Sequence, residues 1–285
     1  MKFLKKLACA AAVAMSVAGG ANAATVLNDW HFNPTGGGFA GSQQINEYLD
    51  VNGNAFIQIT PNGSGSFSFN EHAVFNIGQA DSNGQFFPIN YAGGNITAIF
   101  EATGSGNFSG NFTFSSGTIR MFQNPVGGQY ASANGIYGAN LGNEIAVFNV
   151  MAGGGGTVDA SGSPVNNGQV TVLARAEQGS LDAGYFFREN GDDLSMESIM
   201  AFAFTNANTI AEPTATLVSE VACEFAGFTG DGCNGNAYGN TPTNFFVGNN
   251  GQFKLAEVPE PGSLALFGIA MLGAGVVSRK RAKKA

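Results

Sequence analysis

The chain has 285 residues, with 42 glycines and 25 phenylalanines against only 12 lysines and arginines. Between its two ends, residues 24–258 hold four cations (Arg120, Arg175, Arg188 and Lys254) and nineteen carboxylates, a net charge of −15. A surface of that charge repels nucleic acid and anionic lipid, so neither is an expected partner, and the length suffices for one large all-β domain.

The first 23 residues read as a secretory signal peptide. Lys2, Lys5 and Lys6 make a positive start, residues 7–18 form a short apolar run, and Ala21-Asn22-Ala23 supplies an A-x-A exit. The apolar core is too short to span a bilayer, and the three parts stand in the order an export signal requires. Cleavage after Ala23 would leave Ala24 as the new N-terminus.

From there the strand signals are short alternating runs bounded by Gly, Asn and Ser. Residues 55–60 put Ala55, Ile57 and Ile59 on one face, and residues 66–70 point Phe67 and Phe69 inward between serines. Further strands are predicted over 96–102, 112–114, 118–122, 145–151, 170–176, 199–205, 216–222, 245–247 and 252–256. Residues 195–203 are equally a helix or a strand. The glycine run 153–156 and residues 230–240 are expected to be flexible. About eleven short strands without a long amphipathic stretch predict an all-β, antiparallel sandwich or jelly-roll-like body over residues 24–257. A phrase recurs, Gly63-Ser-Gly-Ser-Phe-Ser and Gly104-Ser-Gly-Asn-Phe-Ser, as two similar hairpin arms of one sheet would give.

Candidate chemistry is sparse. Cys223 and Cys233 are the cysteines left after signal cleavage, and in an oxidising compartment two thiols ten residues apart form a disulfide. His31 and His72 sit in no metal or nucleophile motif, and no G-x-S-x-G elbow is present, so no catalytic residue is expected. Trp30, within Trp30-His31-Phe32, is a candidate ring face for a sugar, although a lone tryptophan also suits a core. No cofactor is required. Asp50-Val-Asn52-Gly-Asn54, Asp192-Asp193 and residues 231–236 space oxygen ligands as a structural calcium site would, and turn chemistry accounts for the same residues equally well.

The C-terminal segment 258–285 has three parts. Val258, Pro259, Glu260 and Pro261 precede an apolar run over 264–277, and five cations between Arg279 and Lys284 follow. As a helix that run rises about 21 Å, short of a hydrocarbon core of about 30 Å, and taking in residues 262–278 brings it near the lower limit for a single span. The cations would stay cytoplasmic and leave the body outside. Together the motif, helix and basic end resemble the PEP-CTERM sorting signal. That resemblance implies processing by an exosortase in a Gram-negative, exopolysaccharide-producing bacterium, with transient residence in the inner membrane before release to the cell surface or matrix.

Shorter phrases are similar to flocculation-associated PEP-CTERM proteins: Asn46-Glu47-Tyr48-Leu49-Asp50, Gly184-Tyr185-Phe186-Phe187, Phe204-Thr205-Asn206-Ala207 and Asn250-Gly251-Gln252-Phe253. This second resemblance implies a structural or adhesive role in exopolysaccharide-bound flocs or biofilm, and no catalytic residues. Two other function classes stay open at the level of sequence: a carbohydrate-binding module recognising an exopolysaccharide, and an exported hydrolase.

Overall fold

The computed structural model of the protein describes residues 25–82, 85–89, 91, 95–164 and 168–258. Among the described residues, thirteen strands carry the body. In chain order they are β1 (Trp30–Phe32), β2 (Gln43–Ile45), β3 (Tyr48–Gly63), β4 (Ser66–Ser82), β5 (Gln85–Pro88), β6 (Asn95–Asn107) and β7 (Asn111–Asn124). There follow β8 (Asn143–Val150), β9 (Gly153–Thr157), β10 (Gly168–Ala176), β11 (Phe186–Phe187), β12 (Ile199–Thr209) and β13 (Asn244–Glu257). One short helix, α1 (Ala215–Leu217), runs on into a wider π-helical turn, Val218–Phe225.

The main sheet closes on itself. Neighbours run β12, β13, β3, β4, β6, β7, β8 and β10, and β10 pairs back onto β12 over nine residues, Gly168–Ala176 against Ile199–Ala207. Beyond Val150 the place of β8 between β7 and β10 is taken by β9. The expected antiparallel, sandwich-like body is therefore present, with its two facing layers continuous. The connectivity is an up-and-down meander, where a jelly roll would cross between layers by Greek keys. A ring of eight strand positions leaves an interior that side chains can nearly fill.

The strand period of two decides what fills it. On β4, Phe67, Phe69, Glu71, Ala73 and Ile77 fall at odd positions and are buried, and on β10 Val170, Val172, Ala174 and Ala176 are buried and alternate with more exposed residues. The apolar residues among these join one large core with Trp30, Phe32, Ile45 and Phe186 from the small sheet β11-β1-β2. The repeated phrase now has a cause. Its copies lie on paired strands, Phe67 opposite Gly106 and Phe69 opposite Gly104. A Cβ on Gly104 would meet the Phe69 ring at 2.4 Å, and one on Gly106 the Phe67 ring at 2.6 Å, so the glycines make room for the rings.

Three expectations are corrected and one open reading is settled. Residues 216–222, read as a strand from their β-branched residues, are helical. Thr214 caps the segment by accepting from the Leu217 N–H at 3.2 Å, and Leu217, Val218, Val221 and Ala222 bury one side of it. The ambiguous stretch 195–203 is a short 3₁₀ turn, Leu194–Met196, followed by β12. The two runs 112–114 and 118–122 are parts of the single strand β7. The glycine run 153–156 is β9, and Gly155 takes φ +108° where a Cβ would lie 1.9 Å from the Phe112 carbonyl oxygen.

A second, smaller core lies outside the ring. Phe56, Val74, Ile99, Phe122 and Phe246 point outward from their strands and are buried beneath Leu217, Val218 and Val221 of the helical segment and Tyr137 of the loop before β8. The Cys223–Cys233 disulfide, Cα–Cα 5.5 Å, ties the end of this cap to the following loop. In the chain-entropy description so short a loop is worth about 2.5–3 kcal/mol. Cys223→Ser is thus expected to lower unfolding free energy by about that amount, while the closed sheet persists. Amide exchange that speeds up only over the cap and the 223–233 loop would bear this out, and a loss of protection in β3 and β4 would refute it.

Candidate functional site

The outer face of β12, β13 and β3 carries the residues whose parity turns them away from the core: Asp50, Asn52 and Asn54 on β3, Phe204, Asn206 and Asn208 on β12, Asn250 and Gln252 on β13. They line a trough in two connected parts. One, of about 280 Å³, is bounded by Asp50, Phe86, Gln169, Phe204, Asn206, Asn250 and Gln252. The other, of about 500 Å³, is bounded by Asn52, Asn54, Tyr130, Asn208 and Ile210, and shares Asn206 and Asn250 with the first.

Pairing gives the trough its order. Gln169 stands opposite Asn206, Asn250 opposite Asn52, and Asn52 opposite Asn76, with β12 beside β13. An amide row therefore crosses five strands, and at about 4.8 Å per strand it extends about 19 Å. Glycines set the floor. A Cβ on Gly251 would lie 1.9 Å from the Phe204 carbonyl oxygen, and one on Gly53 lies 2.1 Å from that of Val74, so neither position admits a side chain.

Aromatic groups border the row. Phe204 is stacked with Phe202 at 6.4 Å between centroids, Phe86 is 54% exposed, and the Tyr48 ring meets its edge at 5.8 Å. The Lys254 ammonium lies over the Tyr48 and Phe204 rings at 5.5 and 5.9 Å and is ion-paired with Glu47. Partial burial raises the Asp50 carboxyl above its ordinary range. Chemically this surface offers amides that both donate and accept, flat apolar rings and a single lining carboxylate, Asp50. Such a set can exchange paired hydrogen bonds with hydroxyl groups and offer ring faces to apolar C–H groups.

The residues singled out from sequence fall elsewhere. Trp30 is 1% exposed, stacked on Phe186 at 6.3 Å and edge-on to Phe32 at 6.5 Å, so it is a core residue and presents no face to a sugar. His31 shares a 3.0 Å hydrogen bond with the Ser42 hydroxyl. His72 packs edge-on against Phe225, and burial lowers its pKa while nearby Glu101 opposes the shift. Asp50, Asn52 and Asn54 lie on a strand, which spreads alternate side chains about 6.6 Å apart instead of converging them on an ion. Asp231 accepts from the Asn234 and Asn236 side-chain amides at 3.2 and 2.8 Å, and Asp193 accepts from the Ser195 and Gly184 N–H groups, each at 2.8 Å. Those carboxylates are engaged in turns and a cap. Among the described residues no three His, Cys, Asp or Glu side chains are placed to hold a metal.

The sorting segment is settled by comparison with known families: the model for the PEP-CTERM protein-sorting motif matches residues 257–281. The chain carries a PEP-CTERM sorting motif. Such a motif marks an exported protein for exosortase processing by way of a membrane-anchored intermediate. No match is found among curated proteins or among solved structures. Of the motif, Glu257 closes β13 and Val258 follows it, whereas Pro259, Glu260, Pro261 and the apolar run 264–277 lie outside the described residues. Ala21, Ala23 and Ala24 of the predicted signal cleavage lie outside them too. Among the described residues no helix is long and apolar enough to cross a membrane.

Proposed function

We propose that the PEP-CTERM protein is an adhesive component of an exopolysaccharide matrix, and that its outer trough holds a polysaccharide chain. The observation that carries this reading is the amide row bordered by Phe86 and Phe204. The adhesive and the carbohydrate-binding interpretations thereby meet in one surface. Three of the four phrases that resemble flocculation-associated proteins end there as well, contributing Asp50, then Phe204 and Asn206, then Asn250 and Gln252. A binding role is favoured over glycoside hydrolysis because hydrolysis takes a pair of carboxyl groups across the scissile bond, and only Asp50 lines the trough.

Charge selects among glycans. With −15 over residues 24–258, a polyuronate is repelled, whereas a neutral glucan or an amino-sugar polymer is not. Asn206 and Asn250 are exposed, so replacing both with alanine leaves the core untouched. The double variant is expected to weaken binding about tenfold, from hydrogen bonds worth about 0.5–1.5 kcal/mol each. Calorimetric titration of the protein with a neutral glucan, a polyglucosamine and a polyuronate tests this. Unchanged affinity in the double variant, or a preference for the polyuronate, would sink the proposal.

A further inference from the structure

The interior of the ring contains a polar chamber behind the trough, with which it shares Thr205 and Asn249 as lining residues. Glu71 on β4, Thr205 on β12 and Asn249 on β13 are the polar side chains among residues that otherwise read Val, Ile, Phe, Ala and Met. They line one hollow of about 50 Å³, and Glu71 and Asn249 also line a second of about 20 Å³. Glu71 is only 8% exposed, and Asn249 and Thr205 are 7% and 9% exposed. Among the described residues no hydrogen bond reaches any of the three side chains, and Glu71 is the only ionisable group lining either hollow.

We propose that this chamber binds a small cation of the ammonium class, ammonium itself or a short primary alkylamine. Three features converge on that chemistry. First, an ionised carboxylate without a partner is costly in an apolar interior, and the chain supplies it no internal cation. Second, Glu71, Thr205 and Asn249 can all accept a hydrogen bond, and a primary alkylammonium supplies three N–H donors and ammonium four. Third, Phe75, Phe100 and Phe253 complete the wall, and ring faces attract a desolvated cation. Size sets the limit. A water needs about 10–15 Å³ measured in this way, so the larger hollow takes about four heavy atoms and excludes a sugar ring.

The test is thermal unfolding of the full chain in phosphate at pH 8, after long incubation with one of four chlorides at matched ionic strength. Ammonium and methylammonium are expected to raise Tm by about 3 °C or more, because they bind the folded state alone. Sodium and tetramethylammonium, which lack N–H donors, are expected to leave it in place. At pH 5, where Glu71 is uncharged, the difference between salts should vanish. The same loss is expected in Glu71→Gln, which keeps the shape and removes the charge, and a partial loss in Thr205→Val. Equal shifts from all four salts, or a shift that survives Glu71→Gln, would mean surface screening only and overturn the proposal. No shift from any salt would mean that the chamber holds water only, and would overturn it too.

Discussion

At pH 8 in an amine-free buffer, Glu71→Gln is expected to be about 3 kcal/mol more stable than the natural protein, and at pH 4.5 the two should coincide. The reason is where parity places the carboxyl. β4 turns Glu71 into the ring, and burial pushes its pKa up from 4.5 to about 7. Below about pH 4.5 the group is protonated both folded and unfolded, and it contributes no penalty. Between 4.5 and 7 the unfolded chain ionises while the folded chain holds its proton, so stability falls with each step upward in pH. Above 7 the folded form is ionised as well and the penalty stays constant. The general repulsion among the other carboxylates acts on both proteins, so the difference between their urea midpoints isolates Glu71. Parallel curves from pH 4.5 to 8.5 would show that the carboxyl is hydrated and not held in the core.

That residue illustrates how much the sequence disclosed. Phe67 and Phe69 were legible as inward-facing, and extending the same period by two residues turns Glu71 inward as well. The class of fold followed from alternation, since residues 96–102 and 170–176 lie within β6 and β10 as expected. Strand length did not. Asn, Asp and Gly around 50–54 look like turn residues, yet on the solvent side of a long strand they meet no apolar neighbour, and cross-strand partners decide their conformation. The same misreading concealed the trough, whose residues fall at even positions 50, 52 and 54, 206 and 208, and 250 and 252. Closure of the ring was beyond any local pattern. It depends on β13 pairing with β3, residues 244–254 against 48–58, a contact across nearly the whole body. The helical cap was missed because Val218 and Val221 suggest a strand singly, while the spacing of Leu217, Val218, Val221 and Ala222 on one helical face is visible only when they are taken together.

The other large effect is expected at the sorting motif. Replacing Pro259, Glu260 and Pro261 with alanine should leave export intact and hold the full-length protein in the inner membrane. Proline fixes its own φ and biases the preceding residue toward extended geometry, so the natural Pro-Glu-Pro is expected to resist joining the helix that the apolar run 264–277 predicts. Three alanines remove that resistance, so the predicted helix would be free to extend back toward Val258 and withdraw the extended segment that a processing enzyme is expected to need. The cations from Arg279 onward still act as a stop, because the positive-inside bias is unchanged. Deleting residues 264–285 is expected to have the opposite result, a soluble body in the periplasm, since residues between Leu27 and Leu255 supply both of the cores described. Fractionation with intact-mass measurement of the surface form separates the outcomes. A surface form that still ends at Ala285, or a triple-alanine variant that reaches the surface processed, would mean that the segment is a plain anchor. A processed natural form beside a trapped variant would place the recognition in Pro259–Pro261, with the apolar run serving to hold it at a fixed depth.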